Sequence, residues 1–379
     1  MKRTKLMIPG PVELSPGVLE EMAKPLIGHR TPEFDRILVY CWDTLKKIFQ
    51  TKNDVVLITA SGTAAMDAAI ANTIQEGDEV VCIKGGKFGE RFIGIIKGYG
   101  GIPKEVEVDW GKAVNPEDVE AVLAESSAKV LTLTHNETST GVLNDAEAVG
   151  KVAREYGVLF VMDAVTSVGG DDVRTDEWGV DICITGSQKC LAAPPGMAMA
   201  ALSERAWEAI EANNSKSYYL DLLKYRYSMR KETTPFTPSV PLVMGLKKAL
   251  EEIMEEGIKE RIKRHRTLAK ASREAAKALN LALFPDEKDA SNTVTAVRIP
   301  ETLTDDDIRG RIKRDFGILL AGGQDEVKGK IFRIGHMGNV NQKDLLELLS
   351  ALEISLEKSG YNIEAGKGVE AAKEVFLKK

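Results

Sequence analysis

LFVMDAVTSVGGDDVRTDEWGVDICITGSQKCLAAPP, residues 159–195, contains two apolar runs that each end in polar residues. The first run, 158–162, ends at Asp163, and the second, 180–184, leads within a few residues to Lys189. Short, nearly continuous apolar runs are typical of strands in a parallel sheet that is covered on both faces. Because ligands bind at the carboxyl ends of such strands, Asp163 and Lys189 are the first candidate functional residues.

This carboxylate and this amine suit a cofactor with a pyridinium ring. A free lysine amine has a pKa near ~10.4 and is a poor nucleophile. As a Schiff base to an aldehyde cofactor, however, Lys189 would anchor that cofactor and later carry protons. An aspartate that faces the ring nitrogen keeps it protonated, so that the ring accepts electrons. The alternative interpretation is structural, with Asp163 capping the next helix and Lys189 solvated.

The composition predicts a soluble globular protein with room for two domains. The chain has 379 residues, of which 43% are hydrophobic and 28% charged. The formal net charge of −6 argues against nucleic acid and anionic membranes as partners. No apolar run approaches the ~18 residues of a membrane span, and the N-terminal residues lack the apolar core of a signal peptide. We therefore expect a cytoplasmic protein.

Cysteine and histidine spacing predicts neither a disulfide framework nor a metal site. The four cysteines lack CxxC spacing and lie in apolar patterns, which favours buried free thiols in a reducing compartment. The four histidines show no metal-ligand spacing either.

Strands and helices are predicted to alternate from residue 32 onward. Residues 1–35 are rich in proline and glycine and are predicted to form an extended arm. The predicted strands are 55–59, 79–83, 105–108, 129–134, 158–162 and 181–185. The predicted helices are 32–49, 89–99, 116–124 and 145–156. Such alternation indicates an α/β fold whose mostly parallel sheet has helices on both faces.

Small residues after the first of these strands form a candidate anion site. Ser61, Gly62 and Thr63 open a helix, and a helix N-terminus offers unpaired N–H groups and the positive end of a dipole. A helix cap without any ligand is the alternative interpretation. Two further polar loops follow strands, GGKFGER at 85–91 and THNETSTG at 134–141. Their aromatic and hydroxyl groups are candidates either for cofactor contacts or for core packing and helix caps.

Five motifs in this order resemble the class V aminotransferase family. They are SGTAAMDAAI, GGKFGERF, THNETSTGV, VMDAVTSVGG and GSQKCLAAPPG, and the alanine–glyoxylate and serine–pyruvate (serine–glyoxylate) branch is the most similar. The likeness extends from Pro9-Gly10-Pro11 to the C-terminal region. It implies pyridoxal 5′-phosphate (PLP) as cofactor and the type I fold of PLP enzymes. That fold has a large domain built on a mostly parallel sheet and a smaller C-terminal α+β domain.

The resemblance also implies roles for individual residues. Lys189 corresponds to the Schiff-base lysine and Asp163 to the partner of the pyridine nitrogen. Phe88 corresponds to an aromatic residue stacked on the ring, and Thr138 to the hydroxyl that faces its phenolic oxygen. The other implied cofactor contacts are Ser61, Gly62, Thr63, Val165, Gln188 and, across the dimer, Thr237. The implied substrate contacts are Gly10 and Arg333.

Arg333 is also conspicuous without the resemblance, because it lies in a short apolar strand, where a guanidinium needs a partner. A substrate carboxylate and a structural salt bridge are both open. A long helical region, 240–279, is dense in lysine, arginine and glutamate and is interpreted as a solvated face rather than a nucleic-acid surface. We expect an arm at 1–15, a large PLP-binding domain at 16–258 and a small domain at 259–379.

The resulting expectation is a homodimeric transaminase with shared active sites that moves an amino group from alanine or serine to glyoxylate or pyruvate. A broad aspartate/alanine aminotransferase is one alternative. A cysteine desulfurase is another, but it needs a mobile catalytic cysteine in the C-terminal half, and no cysteine follows Cys190. The third alternative is a non-catalytic subunit of a larger complex.

Overall fold

The computed structural model describes residues 4–213 and 215–378. Within them the strands are β1 (Lys5–Leu6), β2 (Asp54–Ile58), β3 (Glu79–Lys84), β4 (Ile102–Glu107), β5 (Val130–Thr134), β6 (Asn136–Glu137), β7 (Val142–Leu143), β8 (Leu159–Asp163), β9 (Ile182–Gly186), β10 (Ala198–Leu202), β11 (Val294–Arg298), β12 (Ile318–Leu319), β13 (Ala321–Gly322) and β14 (Ile331–Gly335).

The same residues also form helices, which are numbered separately from the strands. They are α1 (Pro16–Met22), α2 (Pro32–Phe49), α3 (Gly62–Thr73), α4 (Lys87–Gly98), α5 (Pro116–Ala124), α6 (Ala146–Glu155), α7 (Glu204–Ala212), α8 (Leu222–Met229), α9 (Val240–Glu256), α10 (Ile258–Ala278), α11 (Gln342–Lys358) and α12 (Lys367–Leu377). Short helical turns lie at Glu287–Asp289, Asp306–Gly310, Ile312–Phe316 and Asp325–Val327.

The large sheet confirms the predicted doubly covered α/β architecture. In the described part of the chain its strand order is β2-β10-β9-β8-β5-β3-β4, and every pairing is parallel except those of β10. Successive residues of β8 point to opposite faces, as in any strand. Phe160 and Met162 therefore lie in one apolar core, and Leu159 and Val161 in the other. Burial on both faces explains why the run has no polar alternation.

Two elements differ from the sequence-based expectation. β10 was not predicted, because its run AMAAL is short and rich in alanine; it inserts antiparallel between β2 and β9. The N-terminal region is also not simply an extended arm. Residues 16–22 form α1, since the Ser15 hydroxyl accepts the Val18 N–H and Pro16 occupies the first turn.

The predicted helical region 240–279 consists of two consecutive helices. α9 ends at Glu256, because the φ of +85° at Gly257 breaks the helical path, and α10 follows immediately. α10 packs against α12 and contributes to a separate apolar core that also includes residues of α11 and β14.

The C-terminal part contains a small antiparallel sheet with the order β11-β14-β13. The N-terminal β1 pairs in parallel with β12, so the segment 5–10 runs from this part of the fold toward the large sheet. Of the helices described, none is long and apolar enough to cross a membrane.

Candidate active site

The carboxyl ends of four neighbouring strands bring the predicted residues together. β9, β8, β5 and β3 are adjacent, and the chain leaves them through residues 187–189, 164–167, 135–141 and 85–88. Because parallel strands end at one edge, loops that are distant in sequence meet there.

Asp163 lies at the end of β8, almost completely buried with 4% exposure. Its Oδ1 accepts the Val165 N–H at 2.8 Å, which fixes the orientation of the carboxylate. Burial raises the pKa of Asp163 to about 6, and the positive charges of Arg91 and Lys189 oppose this rise. The carboxylate therefore has a fixed direction, and a cationic partner would stabilise its charged form.

Lys189 follows β9, and its Nζ donates a hydrogen bond to the Pro9 carbonyl of the N-terminal segment. Burial, together with the nearby guanidinium groups of Arg333 and Arg91, lowers the pKa of Lys189 to about 8. A lysine with a lowered pKa is a better nucleophile and proton carrier at neutral pH. Gly10 allows this contact, because a Cβ at Gly10 would lie 2.5 Å from Lys189 Cδ and its φ is +96°.

The predicted phosphate cradle lies around the start of α3. Ser61 is the N-cap residue, yet its hydroxyl makes no capping bond, so both it and the helix N–H groups are available to an anion. A Cβ at Gly62 would lie 3.1 Å from Val165 Cγ2 and 3.7 Å from Gly186 Cα, so glycine lets the helix approach these strand ends. Gln188 Oε1 is buried and makes no hydrogen bond within the described residues.

These residues fit a PLP molecule chemically. The site combines a buried carboxylate for a cationic ring nitrogen, a lysine with a lowered pKa for an aldehyde, and neutral donors for a phosphate. The hydroxyl of Thr134, which ends β5 opposite Asp163, is buried and makes no hydrogen bond within the described chain. Polar atoms left without partners are expected where a ligand supplies them.

Phe88 lies in the first turn of α4, and a buried carboxylate fixes its backbone. Glu137 Oε2 accepts the N–H groups of Phe88 at 2.9 Å and Gly89 at 3.2 Å, while Oε1 accepts the Ser139 N–H. Glu137 is 2% exposed, and its burial raises the pKa of its carboxyl. β6 and the turn that follows it are thereby joined to the helix that carries Phe88.

Arg333 lies on β14 with 7% exposure. Its Nη1 donates to the Thr138 carbonyl at 2.6 Å and its Nε to the Gly322 carbonyl at 2.9 Å. Among residues 4–213 and 215–378 no carboxylate forms an ion pair with it, so the salt-bridge interpretation is wrong for this part of the chain. Burial lowers the pKa of Arg333 to about 10.

The predicted contact Thr237 has its hydrogen-bond partner outside the predicted set of cofactor contacts. Its side chain is exposed, and its hydroxyl lies 3.3 Å from His29 Nε2. Thr138, by contrast, is buried, and its backbone carbonyl binds Arg333.

Sequence reasoning missed Glu137, Arg91 and the Pro9 carbonyl. Glu137 and Arg91 both occur in quoted motifs, and a charged residue inside a loop with small and hydroxyl neighbours was the available signal. The Pro9 carbonyl could not have been found, because a backbone acceptor has no sequence signature. Its contact with Lys189 depends on a pairing of residues far apart in the chain.

Comparisons with known proteins agree with this geometry. The family model described as aminotransferase class-V matches residues 23–345. An uncharacterised aminotransferase of Methanocaldococcus jannaschii is 48% identical, with 98% of this chain and 97% of that protein covered. The serine–glyoxylate aminotransferase of Arabidopsis thaliana is 36% identical, with 98% and 94% covered.

Two further matches cover nearly the whole chain. A protein of a Synechococcus strain named soluble hydrogenase, small subunit, is 44% identical, with 99% of this chain and 98% of that protein covered. The crystal structure of ureidoglycine–glyoxylate aminotransferase from Bacillus subtilis superimposes with a TM-score of 0.95 at 34% identity, covering 99% of this chain and 98% of the other.

Proposed function

Since the chain belongs to the class V aminotransferase family, whose members depend on PLP, we propose that it moves the amino group of alanine or serine to glyoxylate or pyruvate. The observation that carries this proposal is Arg333, a buried guanidinium without an ion-pair partner among the described residues. A buried cation needs a counter-ion, and the single carboxylate of a small amino or oxo acid is a bidentate match for arginine.

Each polar group of the site has a task in this proposal. The cofactor, when bound, supplies an electron-accepting ring that makes the substrate Cα–H acidic. Asp163, held in direction by the Val165 N–H, would face the ring nitrogen and stabilise its positive charge. Once the substrate amine has displaced Lys189 from the aldehyde carbon, its Nζ would accept the Cα proton and donate it to that carbon, which its lowered pKa favours. Arg333 holds the substrate carboxylate in register with Lys189.

The positive charges near the site bear on whether the substrate has one carboxylate or two. A dicarboxylic donor needs a second cationic anchor, because a second buried carboxylate without one is costly. Arg30 is held by hydrogen bonds from its Nη1 to the Thr233 hydroxyl and the Thr234 carbonyl. His336 is buried, burial lowers its pKa to about 3, and it is neutral at physiological pH. Arg30 is thus oriented toward residues 233 and 234, and His336 is uncharged, which favours alanine and serine over aspartate and glutamate.

The alternatives carry less support. A desulfurase lacks its cysteine here, since Cys190 is the last cysteine of the sequence and is buried. A non-catalytic subunit has no need of a lysine with a lowered pKa near an arginine that forms no ion pair in the described part of the chain. A broad aspartate/alanine aminotransferase remains the alternative that the substrate panel tests.

Steady-state kinetics with a panel of amino donors tests the proposal. We expect kcat/KM for alanine or serine, with glyoxylate or pyruvate as acceptor, to exceed that for aspartate and glutamate. A value for aspartate or glutamate more than about tenfold above both alanine and serine, a preference of about 1.4 kcal/mol, contradicts it. Arg30→Ala then shows whether Arg30 is the second anchor, because only the acidic donors would lose activity.

The assembly and the cellular setting are part of the same proposal. We infer a homodimer with shared active sites, because Thr237 and the neighbouring Tyr218, which is 74% exposed, face away from their own core. The arm 1–15, large domain 16–258 and small domain 259–379 are supported by the break at Gly257 and by the separate C-terminal core. A cytoplasmic location is supported by the buried free thiols, of which Cys41 is an example.

A further inference from the structure

Arg91 is a charged residue of the site that no motif assigned to a role. It lies on α4, one turn after Phe88. Its guanidinium carbon is 4.7 Å from the centroid of the Phe88 ring, and its Nη1 donates to the Thr63 hydroxyl at 2.9 Å. Arg91 therefore links the predicted ring platform to the predicted phosphate cradle.

The charge of Arg91 is directed into the site. Within residues 4–213 and 215–378 it forms no ion pair, and its hydrogen bond to Thr63 involves a neutral partner. Its positive charge lowers the pKa of both Asp163 and Lys189, so its field reaches the two central groups. A half-buried guanidinium with an aromatic ring below it and a hydroxyl beside it is oriented but not neutralised.

The predicted phosphate cradle otherwise lacks a positive side chain. Ser61, Gly62, Thr63 and Gln188 contribute neutral donors, and Lys189 is committed to the aldehyde end of the cofactor. A phosphate monoester carries about −1.5 to −2 charges at neutral pH. Neutral donors and the positive end of the α3 dipole, worth roughly half an elementary charge, leave much of that charge uncompensated, whereas one guanidinium offers planar, charge-assisted hydrogen bonds.

We propose that Arg91 binds the 5′-phosphate of the cofactor together with Ser61, Thr63 and Gln188. This inference rests on the proposed position of PLP but not on the proposed amino donor. The contact with Thr63 places the guanidinium at the first turn of α3, where the anion is expected. The stacking on Phe88 keeps it there and gives one residue two tasks, supporting the ring platform and neutralising the phosphate.

Comparing PLP with pyridoxal, which lacks the phosphate, separates these two tasks. The full-length chain and its Arg91→Gln variant are loaded with either compound, and dissociation constants are measured by equilibrium dialysis. Loss of one charge-assisted contact should weaken PLP binding about 10- to 100-fold. Pyridoxal binding should change by less than about threefold, because the lost contact is to the phosphate.

Two further variants complete the test. Lys97→Gln removes one positive charge from the same helix at a side chain that is 61% exposed, and it should leave both constants unchanged. Arg91→Lys keeps the charge without the planar fork and should weaken PLP binding by an intermediate factor; it replaces Arg91→Gln if that variant does not fold.

The outcomes are decisive in both directions. A loss confined to PLP supports the proposal. An equal loss for PLP and pyridoxal means that Arg91 acts only through Phe88, and unchanged binding of both means that it has no role at the phosphate; either result overturns it. Neither measurement involves an amino donor, so the substrate proposal stands or fails separately.

Discussion

At the scale of single residues, the main feature of the site is a set of buried ionisable side chains that have no ion-pair partner among residues 4–213 and 215–378. Burial raises the pKa of Asp163 to about 6 and lowers those of Lys189 and Arg333 to about 8 and about 10. Each shift has the same first cause, the cost of removing a charge from water. A cofactor and a substrate that carry the opposite charges relieve this cost. The buried charges therefore destabilise the ligand-free protein and favour ligand binding.

The carboxylate of Asp163 gives a stability prediction for the cofactor-free protein. Its pKa is about 6 when folded and 3.8 ordinarily, so the folded state binds the proton more tightly. The free energy of unfolding therefore falls as pH rises from about 4 to about 6, and at neutral pH it is lower by roughly 3 kcal/mol. Asp163→Asn, which does not titrate, should be more stable than wild type above pH 6 while losing turnover.

Denaturant melts of both cofactor-free proteins between pH 4 and 8 provide the measurement. The difference in unfolding free energy should grow with pH and level off above about pH 6. A difference that is independent of pH would mean that Asp163 is not an uncompensated buried acid.

Arg333 gives a prediction for catalysis. Arg333→Ala removes the proposed partner of the substrate carboxylate, and truncating one partner of a buried charge pair costs about 2–5 kcal/mol. kcat/KM should fall roughly 30- to several-thousand-fold, with the cofactor retained. The matched control is Arg298→Ala, because Arg298 is an exposed arginine on the neighbouring β11. Unchanged kcat/KM for every amino acid in the Arg333 variant would rule out the carboxylate role.

How much of the site is predictable from sequence depends on the kind of group. Asp163 and Lys189 follow from strand ends that carry unexplained charges. Glu137 does not, because a glutamate in a polar loop looks solvated until the fold buries it against α4. Thr237 could be matched only by resemblance, and within one chain its hydroxyl lies against His29.

At the scale of elements, the start of α4 depends on a carboxylate from another loop. Gly86 precedes the helix and offers no side-chain cap, so the Ser139 hydroxyl accepts the Lys87 N–H, and Glu137 accepts the N–H groups of Phe88 and Gly89. Glu137→Ala leaves these donors without a partner, which should cost about 1–3 kcal/mol.

Thermal melts of Glu137→Ala and Glu90→Ala check this element. Glu90 lies on the same helix and pairs only weakly with Lys87, at 3.5 Å, so its removal should change stability by less than about 0.5 kcal/mol. Equal melting temperatures for the two variants would show that α4 does not need the carboxylate.

Secondary structure was most predictable where local signals agree. α2 and α5 have the predicted bounds, because a cap residue and a proline mark each start. β10 was missed because alanine-rich strands lack β-branched residues, and only its two neighbours in the sheet make it a strand.

At the scale of the whole molecule, the proposed dimer makes cofactor retention depend on concentration. If the segment around Thr237 completes the neighbour's phosphate site, a monomer lacks part of each site. Dilution should then release PLP in step with dissociation of the dimer. Sedimentation measures the dissociation, and cofactor absorbance of the same samples measures the release of PLP. A monomer that keeps PLP and full activity would contradict the shared site.

The central claim is that Lys189, beside Asp163, holds the cofactor covalently. The most direct test is reduction of the PLP-loaded protein with borohydride, followed by proteolysis and mass spectrometry. The expected result is one pyridoxyl group, on the peptide that contains Lys189, and none in Lys189→Ala. A pyridoxyl group on a different lysine, or no labelling of the wild-type protein, would contradict the claim.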